Sequence, residues 1–96
     1  MTLRNRIPIK LVVEGFSKYR SKQHDIVGLA QALSQAMSLL EGDIPGPVRE
    51  AIVQAEAEVD TIRFAVNEKR EAIEVNKVWR ELVKIFSRHL DVQTQS

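Results

Sequence analysis

His24 and His89 are the side chains of this chain that would serve as a base near neutral pH. His24 directly precedes Asp25, and a carboxylate that orients an imidazole is the arrangement of general-base catalysis. Consecutive residues do not reliably face each other, however, and Asp25 is equally suited to cap a following helix. His89 continues an apolar stripe, as a packed histidine does. We therefore predict no catalytic role for either histidine.

Paired carboxylates offer a second possible chemistry. Glu56 and Asp60 stand one helical turn apart, but their position away from the apolar stripe predicts a solvated face. The sequence contains no Glu-x-x-His pair, no His-Glu-x-x-His motif, no glycine-rich phosphate loop and no serine nucleophile elbow. It also contains no cysteine, which excludes disulfides and thiolate metal sites. We predict no catalytic residue, metal ligand or cofactor, and a small enzyme is the least favoured function.

Basic residues concentrate near the N-terminus, although the formal net charge of the chain is only +1. Residues 1–24 are basic, residues 25–60 are acidic and residues 61–96 are mildly basic. Lys and Arg contact phosphates, so nucleic-acid binding is an alternative function. Its candidate contacts are Arg4, Arg6, Lys10, Lys18, Arg20 and Lys22. The acidic block is sufficient to neutralise these residues within the fold or across a dimer, and we favour that interpretation.

The segment before residue 42 predicts one clear helix. Two glycines and two prolines within residues 42–47 indicate a loop. Residues 25–41 form an amphipathic helix, with Asp25 as N-cap and Gly42 as the C-terminal glycine. Its apolar stripe consists of Ile26, Leu29, Ala30, Leu33, Ala36, Met37 and Leu40.

The basic N-terminal segment admits two secondary structures. Residues 7–13 alternate between apolar and other side chains, which is typical of a strand. Helical spacing instead connects Ile9, Val12, Phe16 and Tyr19. A lone strand needs a pairing partner from another chain, so we favour the helix.

Residues 47–90 contain no glycine or proline after Pro47, and their composition predicts helix throughout. Their apolar positions form two stripes on opposite sides of a helical wheel. The first consists of Val48, Ile52, Ala55, Val59, Ile62, Val66 and Ile73, and the second of Val75, Val78, Trp79, Leu82, Ile85, Phe86 and His89. Either the chain breaks near residues 67–76 into two helices that face one core, or one helix of about 65 Å packs against two different neighbours. Because the intervening residues are good helix formers, we favour the long helix.

A helix of that length cannot be covered by the rest of one chain, so it predicts a homo-oligomer, most simply a dimer. The expected interface residues are Val75, Val78, Trp79, Leu82, Ile85 and Phe86. Aromatic residues are common interface anchors, and the same side chains also fit a core within one subunit. Both roles are compatible, because an obligate interface is itself a core.

The sequence as a whole predicts one small all-α domain over residues 1–96. We expect a helical hairpin with a long C-terminal helix, completed as a helical bundle by dimerisation, and a tail at residues 91–96. No apolar run approaches the roughly 20 residues of a transmembrane helix, and no signal peptide is indicated, so we expect a cytoplasmic protein. The expected function is a non-catalytic protein–protein interaction module, such as an adaptor, regulator or assembly factor, that self-associates through its apolar helix faces. No feature of the sequence identifies its partner.

Overall fold

A computed structural model describes residues 7–40, 44–65 and 67–89, and within them the chain forms four α-helices. The helices are α1 (Ile7–Arg20), α2 (Ile26–Ser38), α3 (Gly46–Ala65) and α4 (Glu68–His89). These ranges contain no strand, so the predicted all-α class is confirmed. Several predicted features lie outside the described residues: Arg4, Arg6, Gly42, Val66 and the tail at 91–96.

The N-terminal segment is helical, as the spacing of its apolar residues predicted. Pro8 lies in the first turn of α1, where the missing N–H of proline is not needed. Ile9, Val12 and Phe16 are buried and Tyr19 is partly buried, so one face of α1 carries the apolar stripe. The strand alternative is wrong, because this helical face packs directly on α2.

α1 ends in a Schellman motif with a lysine at its left-handed position. The N–H of Gln23 donates to the carbonyl oxygen of Lys18 at 2.8 Å, and the N–H of Lys22 donates to that of Tyr19 at 3.1 Å. Lys22 has a φ of 67°, and helices that end with a left-handed residue usually have glycine at this position. A side chain with a Cβ is strained there, at a cost of roughly 1–2 kcal/mol.

α2 begins as predicted and ends earlier. The side chain of Asp25 caps the helix, since its Oδ1 accepts a hydrogen bond from the N–H of Gly28 at 3.0 Å. The predicted C-terminus at residue 41 is wrong, because α2 ends at Ser38. The next two N–H groups, of Leu39 and Leu40, bond to carbonyls three residues back and tighten the last turn.

The continuous C-terminal helix that we favoured from the sequence is wrong. α3 ends at Ala65 and α4 begins at Glu68, so the described part of residues 47–90 contains two helices. Both helices face one core, in which Val59 of α3 and Val75 of α4 are buried. The apolar stripes lie on opposite sides of a helical wheel because the chain reverses direction between them.

Asn67 separates the two helices because it caps the second one. Its Oδ1 accepts a hydrogen bond from the N–H of Arg70 at 3.1 Å, and its carbonyl oxygen accepts one from Glu71 at 3.0 Å. Such a side chain satisfies a backbone donor that a helix end leaves unpaired. Asparagine is a strong N-cap and a weak helix former, so it ends the helical run without glycine or proline.

Each helix packs against the next one in the sequence, α1 on α2, α2 on α3 and α3 on α4. Buried apolar side chains of the four helices, together with Ile44 between α2 and α3, form one cluster: Ile9, Val12, Phe16, Ile26, Leu29, Ala30, Leu33, Ala36, Ile44, Val48, Ala51, Ile52, Ala55, Val59, Ile62, Val75, Val78 and Leu82. The radius of gyration is 13.1 Å, close to the roughly 13 Å of a compact 100-residue domain. The sequence-based argument for a dimer required an uncovered second stripe. In the structure Val75, Val78 and Leu82 of that stripe are buried within the chain, and Trp79, Ile85 and Phe86 are partly buried.

Some large apolar side chains remain on the described surface. Phe64 is 73% exposed, and the guanidinium carbon of Arg63 lies 4.5 Å from the centroid of its ring. Ile73 is 55% exposed. Its assignment to the first buried stripe is wrong, because that stripe belongs to α3 and Ile73 belongs to α4. Among the described helices, none is both long enough and apolar enough to cross a membrane.

Candidate functional site

α1 and α4, the first and last helices, meet through large side chains. The ring of Phe16 lies against the indole of Trp79, with ring centroids 5.0 Å apart and planes inclined by 33°. One helical turn further along α1, the guanidinium carbon of Arg20 lies 5.1 Å from the centroid of the Trp79 ring. Phe16 is fully buried and Trp79 is partly exposed. Trp79 therefore connects the hydrophobic core to the surface between these helices.

A hydrogen bond fixes the same helix pair nearer the start of α4. The hydroxyl of Tyr19 donates to Oε2 of Glu71 at 2.7 Å. Burial raises the pKa of the Tyr19 hydroxyl above its ordinary value, and the hydrogen bond to the Glu71 carboxylate and its negative charge raise the pKa further. Tyr19 therefore stays protonated and donates to Glu71 across the neutral pH range.

An open groove of about 950 Å³ follows the contact between α1 and α4 and is called the α1–α4 groove below. It is lined by Phe16, Tyr19, Arg20, Lys22, His24 and Asp25 on one side and by Glu68, Glu71, Ala72, Ile73, Val75, Asn76, Lys77, Trp79 and Arg80 on the other. From Glu68 to Arg80 it follows about 18 Å of α4, at 1.5 Å of rise per residue. A groove that is open along this length fits a peptide segment better than an enclosed small molecule.

Some charged side chains around the α1–α4 groove have hydrogen-bond or ion-pair partners within the chain, and others do not. The Asp25 carboxylate accepts a backbone N–H at 3.0 Å, and the Glu71 carboxylate accepts the Tyr19 hydroxyl. The side chains of Lys22 and Arg80 make no hydrogen bond or ion pair to any residue in the described ranges. Glu68 also has no such partner, so two cations and one anion of the groove remain unpaired within the described ranges.

A small ion-pair network lies on α4 beside the groove. Glu74 is 3.3 Å from Arg70 and 3.3 Å from Lys77, one helical turn away on either side. Lys77 and then Arg70 hold the pKa of the Glu74 carboxyl below its usual range. Glu68, which also lines the groove, lies in the first turn of α4, where the N-terminal end of a helix favours a carboxylate.

The two histidines are placed in different parts of the molecule. His24 lines the α1–α4 groove and His89 lines a second cavity. The imidazole of His24 packs on the backbone of Gly28, where an added Cβ would lie 2.9 Å from its Cγ. Asp25 caps α2 instead of orienting that imidazole. Within the residues described, no three histidine or acidic side chains group closely enough to hold a metal ion.

The second cavity, of about 480 Å³, lies between α3 and α4. Its apolar floor is formed by Val78, Leu82 and Ile85, and Glu50, Glu58, Glu81, Arg88 and His89 lie around it. The predicted carboxylate pair, Glu56 and Asp60, lies outside both cavities, and Asp60 is 3.8 Å from Arg63. Because the second cavity lacks an aromatic floor and is only half the size, we take the α1–α4 groove as the candidate site.

The six residues expected at an interface fall into two groups. Val75, Val78 and Leu82 are buried in the core of their own chain. Trp79, Ile85 and Phe86 are partly buried and pack against that core. Only the second group retains accessible surface, and of its members Trp79 lies in the α1–α4 groove.

The described candidates for nucleic-acid contact do not form one surface. Lys10, Lys18, Arg20 and Lys22 are all exposed. Arg20 and Lys22 line the α1–α4 groove, whereas Lys10 and Lys18 lie outside it on α1. At 100° per residue, Lys10 and Arg20 lie about 80° apart on the helical wheel, and Lys18 lies about 160° from Arg20. The basic segment is therefore divided between the groove and the outer face of α1.

Comparison with known proteins gives no assignment: no family model, curated protein or solved structure matches the chain.

Proposed function

We propose that this protein is a small, non-catalytic helical interaction module that binds a partner protein in the α1–α4 groove. The observation that supports the proposal is the position of Trp79, which lies in an open groove between the first and last helices. Its indole is held from the core side by Phe16 and from the rim by Arg20. Such a module would act as an adaptor, regulator or assembly factor.

The physical basis of the proposal is the kind of residues that the groove presents. Tryptophan and arginine are the residue types most enriched among those that dominate binding free energy at protein interfaces. Trp79 and Arg20 are already in contact, so little conformational entropy is lost when a partner covers them. The groove continues past Ala72 to the exposed side chain of Ile73, which extends its apolar surface.

The partner we propose is a different protein rather than a second copy of this chain. The residues for which the sequence required a second subunit are largely buried in the chain's own core. Sedimentation velocity should therefore give a single species near the chain mass of 10.9 kDa. A dimer that dissociates when Ala72 is enlarged would instead identify a second copy as the occupant of the groove.

Site-specific photo-crosslinking in cells of the source organism tests the proposal. The photoreactive residue p-benzoylphenylalanine would replace Ile73, which lines the groove, or Val53, which lies on α3 outside both cavities. The two sites are comparably exposed, at 55% and 44%. We expect a discrete crosslinked partner from position 73 and none from position 53.

Filling the groove provides the matched control. Ala72 is exposed and lines the groove, and Ala57 is exposed on α3 outside both cavities. Ala72→Leu should abolish the crosslink from position 73, because the larger side chain occupies partner space, whereas Ala57→Leu should leave it intact. Equal crosslinking in both variants, or the same products from position 53, would contradict binding in this groove.

A further inference from the structure

The residues that line the α1–α4 groove indicate the chemistry of the partner segment that it binds. We propose that the groove binds an acidic peptide segment of the partner, with one large apolar side chain against Trp79 and carboxylates on Lys22 and Arg80. This inference rests on the proposed function and makes it more specific.

Charge complementarity is the first argument for an acidic occupant. Two of the carboxylates in the groove accept hydrogen bonds from the chain itself, Asp25 from a backbone N–H and Glu71 from Tyr19. Lys22 and Arg80 have no such partner among the described residues. Arg80 and Trp79 both line the groove, so a carboxylate paired with Arg80 would lie in the same groove as the indole. Glu68 is the one carboxylate of the groove that also has no such partner among the described residues. An incoming acidic segment therefore meets two unpaired cations and one unpaired anion.

The backbone of Lys22 is the second argument, and it is independent of the charges. Lys22 occupies the left-handed position of the α1 C-terminal motif with a φ of 67°. Glycine is the favoured residue there, and strained side chains in folded proteins concentrate at ligand-contacting positions. The strain places a long cationic side chain on the rim of the groove.

A peptide selection can identify the preferred chemistry even though the partner itself is unidentified. A library of random 12-residue peptides displayed on phage would be panned against the wild-type protein and against Ala72→Leu. A helical segment of about 12 residues spans the groove length of about 18 Å. We expect peptides selected by the wild type, but not by Ala72→Leu, to be enriched in Asp and Glu around one aromatic or large aliphatic residue.

Trp79 is the one tryptophan of the chain, so its fluorescence reports occupancy of the groove directly. Synthetic copies of the selected peptides, without tryptophan, should shift the emission of Trp79 in a saturable titration. Affinity should fall roughly two- to fivefold on removal of each cation, by Lys22→Gly or Arg80→Ala. Lys22→Gly relieves the backbone strain, so its weaker binding cannot be attributed to a weaker fold. Lys10→Ala removes an equal charge outside the groove and should leave the affinity unchanged.

The outcomes separate this inference from the proposed function. Selected peptides that shift Trp79 but lack acidic residues, or that bind Lys22→Gly and Arg80→Ala as tightly as wild type, would overturn the acidic preference and leave the interaction module standing. If no peptide binds and position 73 gives no crosslink, both proposals fail. Polyuridylic acid is the probe for the nucleic-acid alternative. Tighter binding of this RNA than of any peptide, weakened equally by Lys10→Ala, would overturn the proposal in favour of nucleic acid.

Discussion

Gly15 of α1 faces Ala32 of α2 so closely that a Cβ added to Gly15 would lie 2.8 Å from the Cβ of Ala32. Side-chain carbons do not approach each other to that distance, so a larger residue must separate the two helices. Leu29 and Phe16 are fully buried beside this contact, and a separation of the helices would also loosen their packing. Gly15 thus sets the spacing of the first helix pair.

Gly15→Ala should destabilise the protein in spite of the better helix propensity of alanine. Overpacking costs about 1–3 kcal/mol and the propensity gain is about 1 kcal/mol, so we expect a net loss of roughly 1 kcal/mol. Gly46→Ala is the matched control, because a Cβ there meets nothing within 4 Å. Urea unfolding followed by circular dichroism should show loss at position 15 and none at position 46. Equal effects at both positions would contradict the close approach.

Asn67→Ala should lower the free energy of unfolding, because it removes the N-cap side chain of α4. Loss of an N-cap side chain costs about 1 kcal/mol, since the N–H of Arg70 loses its side-chain acceptor and keeps only the carbonyl oxygen of residue 67. Asn67→Asp keeps an acceptor oxygen and should retain wild-type stability. The measurement is the free energy of unfolding in urea for the three proteins. A destabilisation by Asp equal to that by Ala would show that the cap contributes nothing.

The ionisation of the Tyr19 hydroxyl can be followed by absorbance spectroscopy as the pH is raised. Its pKa is raised in the folded state, so folding favours the protonated phenol. The resulting stability is fully present below the unfolded pKa near 10, and it is lost as the pH rises above that value. Tyr19 is the one tyrosine of the chain, so absorbance at 295 nm follows its ionisation alone. Ionisation should begin at higher pH in the folded protein than in urea.

Removal of the Glu71 charge is the control for that titration. Glu71→Gln retains an oxygen that can accept from the Tyr19 hydroxyl but removes the negative charge. The ionisation of Tyr19 should then move back towards its ordinary range, though not fully, because burial is the largest cause of the shift. An unchanged titration curve in Glu71→Gln would show that the 2.7 Å contact is not formed in solution.

Lys22→Gly should stabilise the isolated protein. Glycine relieves the strain of the left-handed backbone, and we expect a gain of about 0.5–1 kcal/mol relative to Lys22→Ala. Both variants lose the same charge, so the difference between them isolates the backbone effect. The midpoint of thermal unfolding measures it, and a lower midpoint for glycine than for alanine would contradict the assigned conformation.

Leu82 and Val83 are neighbours in the sequence with opposite burial, at 2% and 38% exposure. Leu82→Asp places a carboxylate in the core and should unfold the chain, because a buried unpaired charge costs several kcal/mol. Val83→Asp should remain folded, with a change of about 1 kcal/mol or less. Far-UV circular dichroism distinguishes the two. A folded Leu82→Asp would mean that α4 does not pack on α3 as described.

Local patterns predicted most of the individual helices. The 3–4 spacing of apolar residues located α2, and it gave the helical character of α3 but placed it within one continuous helix. Asp25 was recognised as the cap of α2 because its type and position agree with the helix that follows. The stripe that includes Val12 and Phe16 correctly favoured helix over strand in the N-terminal segment. These features depend on neighbours within a few residues, which a sequence shows directly.

The break at Asn67 was missed because two local preferences compete there. The flanking residues favour a continuous helix, whereas asparagine favours an N-cap. The break forms because it lets Val75 and Leu82 of α4 be buried in the core. The position of the two apolar stripes on opposite sides of the helical wheel was the feature of the sequence that indicated a break. The α1–α4 groove could not be predicted, because it brings Phe16 beside Trp79 and Tyr19 beside Glu71, far apart in the sequence.

The neighbour-to-neighbour order of the helices has a kinetic consequence. Because α1, α2, α3 and α4 each pack mainly on the next helix, assembly can proceed by short loop closures, which favours rapid folding. The encounter of Phe16 with Trp79 spans most of the chain and should form late. The first and last helices, each with one main neighbour, would then detach before α2 and α3 in the native state, and amide hydrogen exchange should be faster in α1 and α4 than in α2 and α3. Any ligand that joins α1 to α4 would slow that exchange by tying the two ends of the chain together.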